Sequence, residues 1–126
     1  MFSHVMVGSN DLDRSKTFYD ALFGAMGAKP GRVDPKGRLI YAHNGALFMV
    51  TKPIDGEPAS VGNGGTIGFT MESEEMAEDW QKAGVAAGGM AIEDPPGVRD
   101  NGRMRLYLAY LRDPDGNKLC ALKSVA

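Results

Sequence analysis

The second half of this sequence repeats the first. A constant shift of 62 positions lays His4 on Thr66, Leu12 on Glu74, Phe18 on Trp80, Ala21 on Ala83 and Gly27 on Gly89 without a gap. Farther along, the shift grows to 71. It then sets Asn44-Gly45 on Asp115-Gly116 and Met49 on Cys120, and the nine added residues fit a longer loop near Pro95 to Gly102. Such self-similarity means that one supersecondary unit is used twice. Neither unit, at about sixty residues, buries much core alone, so the two sheets are expected to pack together or to exchange across a dimer. The chain of 126 residues is therefore read as one domain over 1–126, made of module 1 (1–60) and module 2 (65–126).

Within each unit the hydrophobic period changes from two to about 3.6. His4 to Val7 reads as a short strand, and Ser9 and Asn10 are candidate N-caps for the helix in DLDRSKTFYDALF, whose Leu12, Phe18, Tyr19 and Leu22 share one side. Gly24 and Gly27 close it. After a polar loop, RLIYAHNGALFMVT carries two β-prone runs around Asn44-Gly45, a strong hairpin signal. In the second unit Thr66 to Met71 is a strand, and Ser73 caps EEMAEDWQKAGVAA with Met76, Trp80, Ala83 and Ala87 spaced for a helix face. EDPPGVRDNG is expected to be a loop. A strand from Met104 to Leu111, the turn RDPDGN and a last strand from Lys118 complete the unit.

Composition removes several classes of function. Fourteen basic against sixteen acidic side chains leave a net charge of -2, so nothing electrostatic argues for nucleic acid or an anionic membrane as partner. A single cysteine forms no internal disulfide. The opening MFSHVMVGSNDLDR has no basic head followed by an apolar stretch, and the longest purely apolar run is Ala46 to Val50, which together predict a soluble cytoplasmic protein.

SHVMVGSNDLDRSKTFYDAL together with YLRDPDGNKLCAL resembles the glyoxalase/bleomycin-resistance/extradiol-dioxygenase superfamily, also called vicinal oxygen chelate proteins. The likeness runs through nearly the whole chain. It implies an α+β fold of two tandem βαβββ modules whose mixed sheets curl into a cup around a small organic ligand, in a homodimer. Many members hold a divalent metal with one residue from the first and one from the last strand of each module. The repeat places those positions here at His4, Met49, Thr66 and Cys120, where the family mostly has His and Glu. Only His4 keeps the pattern, and a thioether and a neutral hydroxyl are poor ligands for Zn, Ni, Mn or Fe(II). No cofactor is expected on this reading, and a divalent metal stays the alternative.

Pairing Arg112 with Lys118 across the RDPDGN turn sets Tyr110 opposite Cys120 on one side of the sheet. The resemblance makes that side the inside of the cup. Cys120 is then a small buried apolar residue, a reactive thiol activated by His4, or part of a soft-metal site with His4 and Met49. His4 itself is either hydrogen-bonded core or functional, and His43 is read as solvated. GNGGTIG precedes a strand and lacks phosphate-loop spacing, so it is a linker. VRDNGRMR brings Arg99, Arg103 and Arg105 close in sequence, as a solvated loop edge or an anion clamp. Glu74-Glu75 and Glu78-Asp79 solubilise the outer side of the second helix. Two classes of function follow. One is a metal-independent binder whose cup is lined by His4, Met6, Met49, Thr51, Thr66, Tyr110, Cys120 and Leu122. The other is an enzyme: a metal-dependent lyase, isomerase or dioxygenase with replaced ligands, or acid-base chemistry by His4, Tyr110 and Cys120.

Overall fold

Two sheets, each carrying one helix on its inner side, share one core in this computed structural model, which describes residues 1–125. In the first unit, β1 (His4–Gly8), α1 (Leu12–Gly24), β2 (Arg32–Val33), β3 (Leu39–His43) and β4 (Ala46–Thr51) give a sheet ordered β1-β4-β3-β2. The second unit has β5 (Ile67–Thr70), α2 (Glu74–Ala86), β6 (Met90–Ala91), β7 (Gly97–Asp100), β8 (Arg105–Arg112) and β9 (Lys118–Ser124), ordered β5-β9-β8-β6, with β7 also on β8. The register reproduces the sequence repeat. Val5 faces Phe48 across β1 and β4, and Ile67 faces Leu119 across β5 and β9, which are the same pair moved by 62 and 71 positions. Both pairings are parallel, as a strand–helix crossover requires.

β7 corrects the expectation of a plain loop from Glu93 to Gly102. Gly97 to Asp100 pairs antiparallel with Leu108 to Arg105, while β6 pairs with Leu111 and Arg112. β6 and β7 thus form one outer strand interrupted at Ile92–Pro96, where Pro95 and Pro96 have no N–H to give a ladder. Glu93 stands in that break at φ 60, a left-handed backbone unusual for a residue with a Cβ.

The helices form where expected but not with the expected details. Asp11, rather than Ser9 or Asn10, caps α1 by accepting from the Arg14 N–H, while the Ser9 hydroxyl accepts from the Asp11 N–H and bonds Ser15 Oγ at 2.6 Å. Ser73 caps α2 as predicted. The face α2 buries is Ala77, Trp80 and Gly84, with Met76, Ala83 and Ala87 at its margins. Gly84 explains the offset. A Cβ there would stand 2.6 Å from Leu111 Cδ2 and 2.9 Å from Leu22 Cδ1, so α1 and β8 close on α2 where it has no side chain. The turn from Asn44 to Gly45 has positive φ at both residues, the backbone a two-residue hairpin needs.

The two units are joined at both ends of this core. Phe69 of β5 stacks edge-on to Phe23 of α1 and Phe48 of β4, with ring centroids 5.2 and 5.6 Å apart. At the other end, the turn between β8 and β9 docks on the start of α1. Asp113, only 4% exposed, accepts from the Tyr19 hydroxyl at 2.5 Å, and Asp115 accepts from Arg14 Nη2 and the Asn10 N–H, both at 2.9 Å. The DPDGN segment is therefore a clasp between modules as well as a turn. No helix among the described residues is long and apolar enough to cross a membrane.

Candidate functional site

Strand alternation decides which residues are free for function. Val5, Val7, Phe48 and Val50 of the first sheet, and Leu119, Ala121, Ala109 and Leu111 of the second, belong to the shared core. Their neighbours face the other way. His4, Met6, Met49 and Thr51 therefore share the outer face of the first sheet, where Met6 pairs with Met49 and Gly8 with Thr51. Tyr110, Cys120 and Leu122 share the outer face of the second, with Tyr110 opposite Cys120 and Leu108 opposite Leu122. Thr66 lies one residue before the Ile67–Leu119 pair, at the lower edge of that face.

The predicted register of the last hairpin is the observed one: Arg112 faces Lys118 and Tyr110 faces Cys120. Burial pushes the Cys120 thiol above its usual pKa, partly offset by its hydrogen bond with Tyr110, so the neutral thiol is favoured. Burial, with Cys120 as a further cause, raises the Tyr110 phenol as well. These shifts give no thiolate nucleophile at neutral pH. The Lys118 ammonium stands 4.9 Å from the Tyr110 ring centroid and pairs with the Glu93 carboxylate.

His4 is exposed, and its Nδ1 bonds the Ser3 hydroxyl at 2.8 Å. It lines a cleft of about 410 Å³ that runs between the unpaired edges of β1 and β5, with Phe23, Phe48 and Phe69 at its base and Gly68 and Thr70 across from it. His43, read as solvated, is half-buried in the same cleft. A second cavity, of about 420 Å³, is lined by Thr66, Arg112, Lys118, Asn63 and the glycines of the linker and turn. Neither cavity contains Met6, Met49, Thr51, Tyr110, Cys120 or Leu122. Sequence reasoning used Arg112 and Lys118 only to set the register of the last hairpin, and passed over Glu93. That register already set Arg112 and Lys118 on the side of Tyr110 and Cys120, whereas the pairing of Glu93 with Lys118 depends on the path the chain takes through the Ile92–Pro96 interruption. The arginine cluster does not assemble as a clamp: Arg99 spends its guanidinium on the carbonyls of Gly97 and Asp94, and Arg105 stands beside Asp100.

This arrangement of two units with matched registers is found in known proteins. The family model for the Glyoxalase/Bleomycin resistance protein/Dioxygenase superfamily matches residues 1–121. The chain belongs to that superfamily. A glyoxalase/bleomycin resistance protein from Albidiferax ferrireducens T118 has 54% sequence identity and a TM-score of 0.93, with 98% of each chain covered. Two distant structures share the fold alone. A hypothetical protein from S. aureus is 19% identical with a TM-score of 0.75, covering 98% of this chain and 93% of that one. The genomically encoded fosfomycin resistance protein FosX from Listeria monocytogenes is 16% identical with a TM-score of 0.69, covering 100% of this chain and 92% of that one. No curated protein matches the chain.

The superfamily resemblance implies a divalent metal, and the donor chemistry here does not fit one. The four positions offer one imidazole, one thioether, one hydroxyl and one thiol that burial keeps protonated. A Zn, Ni, Mn or Fe(II) centre needs three or more anionic or imidazole donors with a position left open. Among the described residues no three His, Cys, Asp or Glu side chains are grouped as such a centre.

Proposed function

We propose that this superfamily member binds a small, mostly apolar organic molecule without a divalent metal, in a cup formed when a second copy joins its first sheet to the second sheet of this chain. The donor set carries the reading. His4, Met49, Thr66 and Cys120 are the positions that the repeat matches to the family's ligand places, and they supply too few hard donors to hold a cation. What remains is a lining of Met6, Met49, Tyr110, Cys120 and Leu122 with His4, Thr51 and Thr66 as polar anchors, the composition of a small-molecule site.

Strand edges support the role of the second copy. β1, with the sequence HVMVG, and β5, with IGFT, each pair on one side only and carry no Asp, Glu, Lys or Arg. Uncharged edges of this length are templates for pairing. The opposite outer edges are blunted by two-residue β2 and by the broken β6 and β7. Joining the β1 edge of one copy to the β5 edge of the other brings His4 and Met49 beside Thr66 and Cys120, and a twofold axis does this twice.

Sedimentation and a thermal-shift screen with and without divalent metal test the reading. A dimer that organic ligands stabilise equally with chelator present is expected. Gly68 supplies the control: a Cβ there meets nothing within 4 Å in the chain, so Gly68→Trp should abolish ligand stabilisation by filling the cup, with its urea midpoint checking that the fold is kept. Stoichiometric Zn, Ni, Mn or Fe in untagged protein, lost in His4→Ala, overturns it in favour of a metal-dependent lyase or dioxygenase.

A further inference from the structure

We propose that the cavity lined by Thr66, Arg112 and Lys118 is a carboxylate subsite, and that Glu93 is its built-in competitor. The inference deepens the reading of the cup as a small-molecule site by naming the ligand class: a small organic acid whose apolar body lies over Tyr110 and Cys120. Four observations lead to it.

First, the cavity has two cationic side chains and no acidic one in its lining, in a chain whose acidic residues outnumber its basic ones by sixteen to fourteen. Arg112 uses Nη1 on the Gly116 carbonyl at 2.8 Å, which fixes the guanidinium plane and leaves its remaining N–H groups to donate. Second, Thr66 and Asn63 line the same space, and a hydroxyl and an amide are neutral donors. Third, Lys118 already binds a carboxylate. Glu93 reaches it from the interruption between β6 and β7, where its backbone is left-handed. The Glu93 side chain is 44% exposed against 25% for Lys118, so the carboxylate can leave for water while the ammonium stays on the face. A ligand carboxylate replaces an interaction that the protein makes with itself.

Fourth, the subsite adjoins the apolar face. Lys118 lies against the Tyr110 ring, and Arg112–Lys118 and Tyr110–Cys120 are successive same-side pairs of one hairpin. An aromatic or aliphatic acid would therefore place its charge at the Lys118 row and its body on the Tyr110 row. A carboxylate between Arg112 and Lys118 gains charge-assisted hydrogen bonds that an uncharged amide does not.

The test is calorimetric titration of the full-length protein with phenylacetate, phenylacetamide and inorganic phosphate. Phenylacetate is expected to bind and the amide to bind at least tenfold more weakly. Lys118→Gln and Arg112→Gln should each weaken phenylacetate about tenfold, the equivalent of about 1.4 kcal/mol, while leaving the amide unchanged. Glu93→Gln should strengthen phenylacetate severalfold, since the competitor is gone and the cation remains. Urea midpoints of the variants within error of the parent show that folding is not the cause. Equal binding of acid and amide, no phenylacetate binding at millimolar concentration, or no effect of Glu93→Gln overturns the proposal. Phosphate binding as tight as phenylacetate overturns its organic part and assigns the cavity to a free oxyanion. Phenylacetate binding that depends on Lys118 in a monomeric or metal-loaded protein upholds the subsite and defeats the cup reading, so the two fail separately.

Discussion

Removing the Tyr19 hydroxyl tests whether the DPDGN turn joins the two modules. Tyr19 is fully buried and its hydroxyl donates to Asp113 Oδ2 at 2.5 Å. The same carboxylate also accepts from Asn117 Nδ2 and the backbone N–H of Asn117, both at 2.8 Å, and from the Asp115 N–H at 3.0 Å. Tyr19→Phe leaves every apolar contact of the ring and deletes one hydrogen bond to a charged group, a loss of about 1.5–3 kcal/mol. Asp113→Ala removes all four acceptor contacts and strands a buried hydroxyl, which raises the loss to about 3–5 kcal/mol. Urea unfolding of the parent, both variants and the double variant, at one protein concentration, gives the coupling. The expected coupling is about 1.5–3 kcal/mol, because once Asp113 is gone the Tyr19 hydroxyl has nothing left to lose. In a chain of this length each kcal/mol corresponds to about 4 °C in Tm. A coupling below about 0.5 kcal/mol, the error of additivity for independent sites, refutes the clasp.

Other predictions concern ionisation and close packing. Tyr19 and Tyr41 are raised by burial and by Asp113 and Asp20, Tyr110 by burial and Cys120, and Tyr107 is pushed up to about 12 by its bond to Glu78. Folding thus favours the neutral phenols: their contribution to stability is complete below an unfolded pKa of about 10 and is lost as pH rises through the folded values. Phenolate absorbance should remain undeveloped at about pH 10 and then appear together with loss of the circular dichroism signal. Half-developed absorbance at that pH with the fold intact would contradict it. Gly89→Ala should destabilise by about 1–3 kcal/mol in a urea titration. Its Cβ would lie 2.9 Å from the Arg112 carbonyl oxygen and 3.0 Å from that of Gly84, and backbone cannot swing aside. A neutral result would show that the Gly89 segment is looser than it looks. Cys120, 5% exposed with its thiol pushed up by burial, should react with a disulfide reagent much more slowly in folded than in urea-unfolded protein. Equal rates would show that the face is open.

Much of the fold was legible because it rests on local patterns applied twice. The repeat, the two helices, the Asn44-Gly45 hairpin and the Tyr110–Cys120 pairing all follow from period, cap and turn chemistry. The misses have physical causes. Ser9, Asn10 and Asp11 are all good caps, and only the buried Ser9–Ser15 bond assigns the role to Asp11. Gly84 belongs to the buried face of α2 yet has no side chain to count in an apolar stripe. β7 contains one large apolar residue, Val98, and is a strand because eight-residue β8 offers it a ladder. Of the candidate site, the residues of each outer face could be derived from strand alternation. The meeting of Lys118 with Glu93 could not, since it depends on where an interrupted strand lets one side chain return.

The back-to-core alternation along β9 also bears on how such a chain changes its chemistry. Leu119 and Ala121 are at 0% exposure in the common core, while Cys120 between them is outside it. A substitution at 120 therefore changes the face of β9 turned away from the common core, where at 5% exposure a charged side chain needs a partner while a small apolar one does not. Reactivity can then be changed on one side of the strand while Leu119 and Ala121 on the other side go on holding the two sheets together.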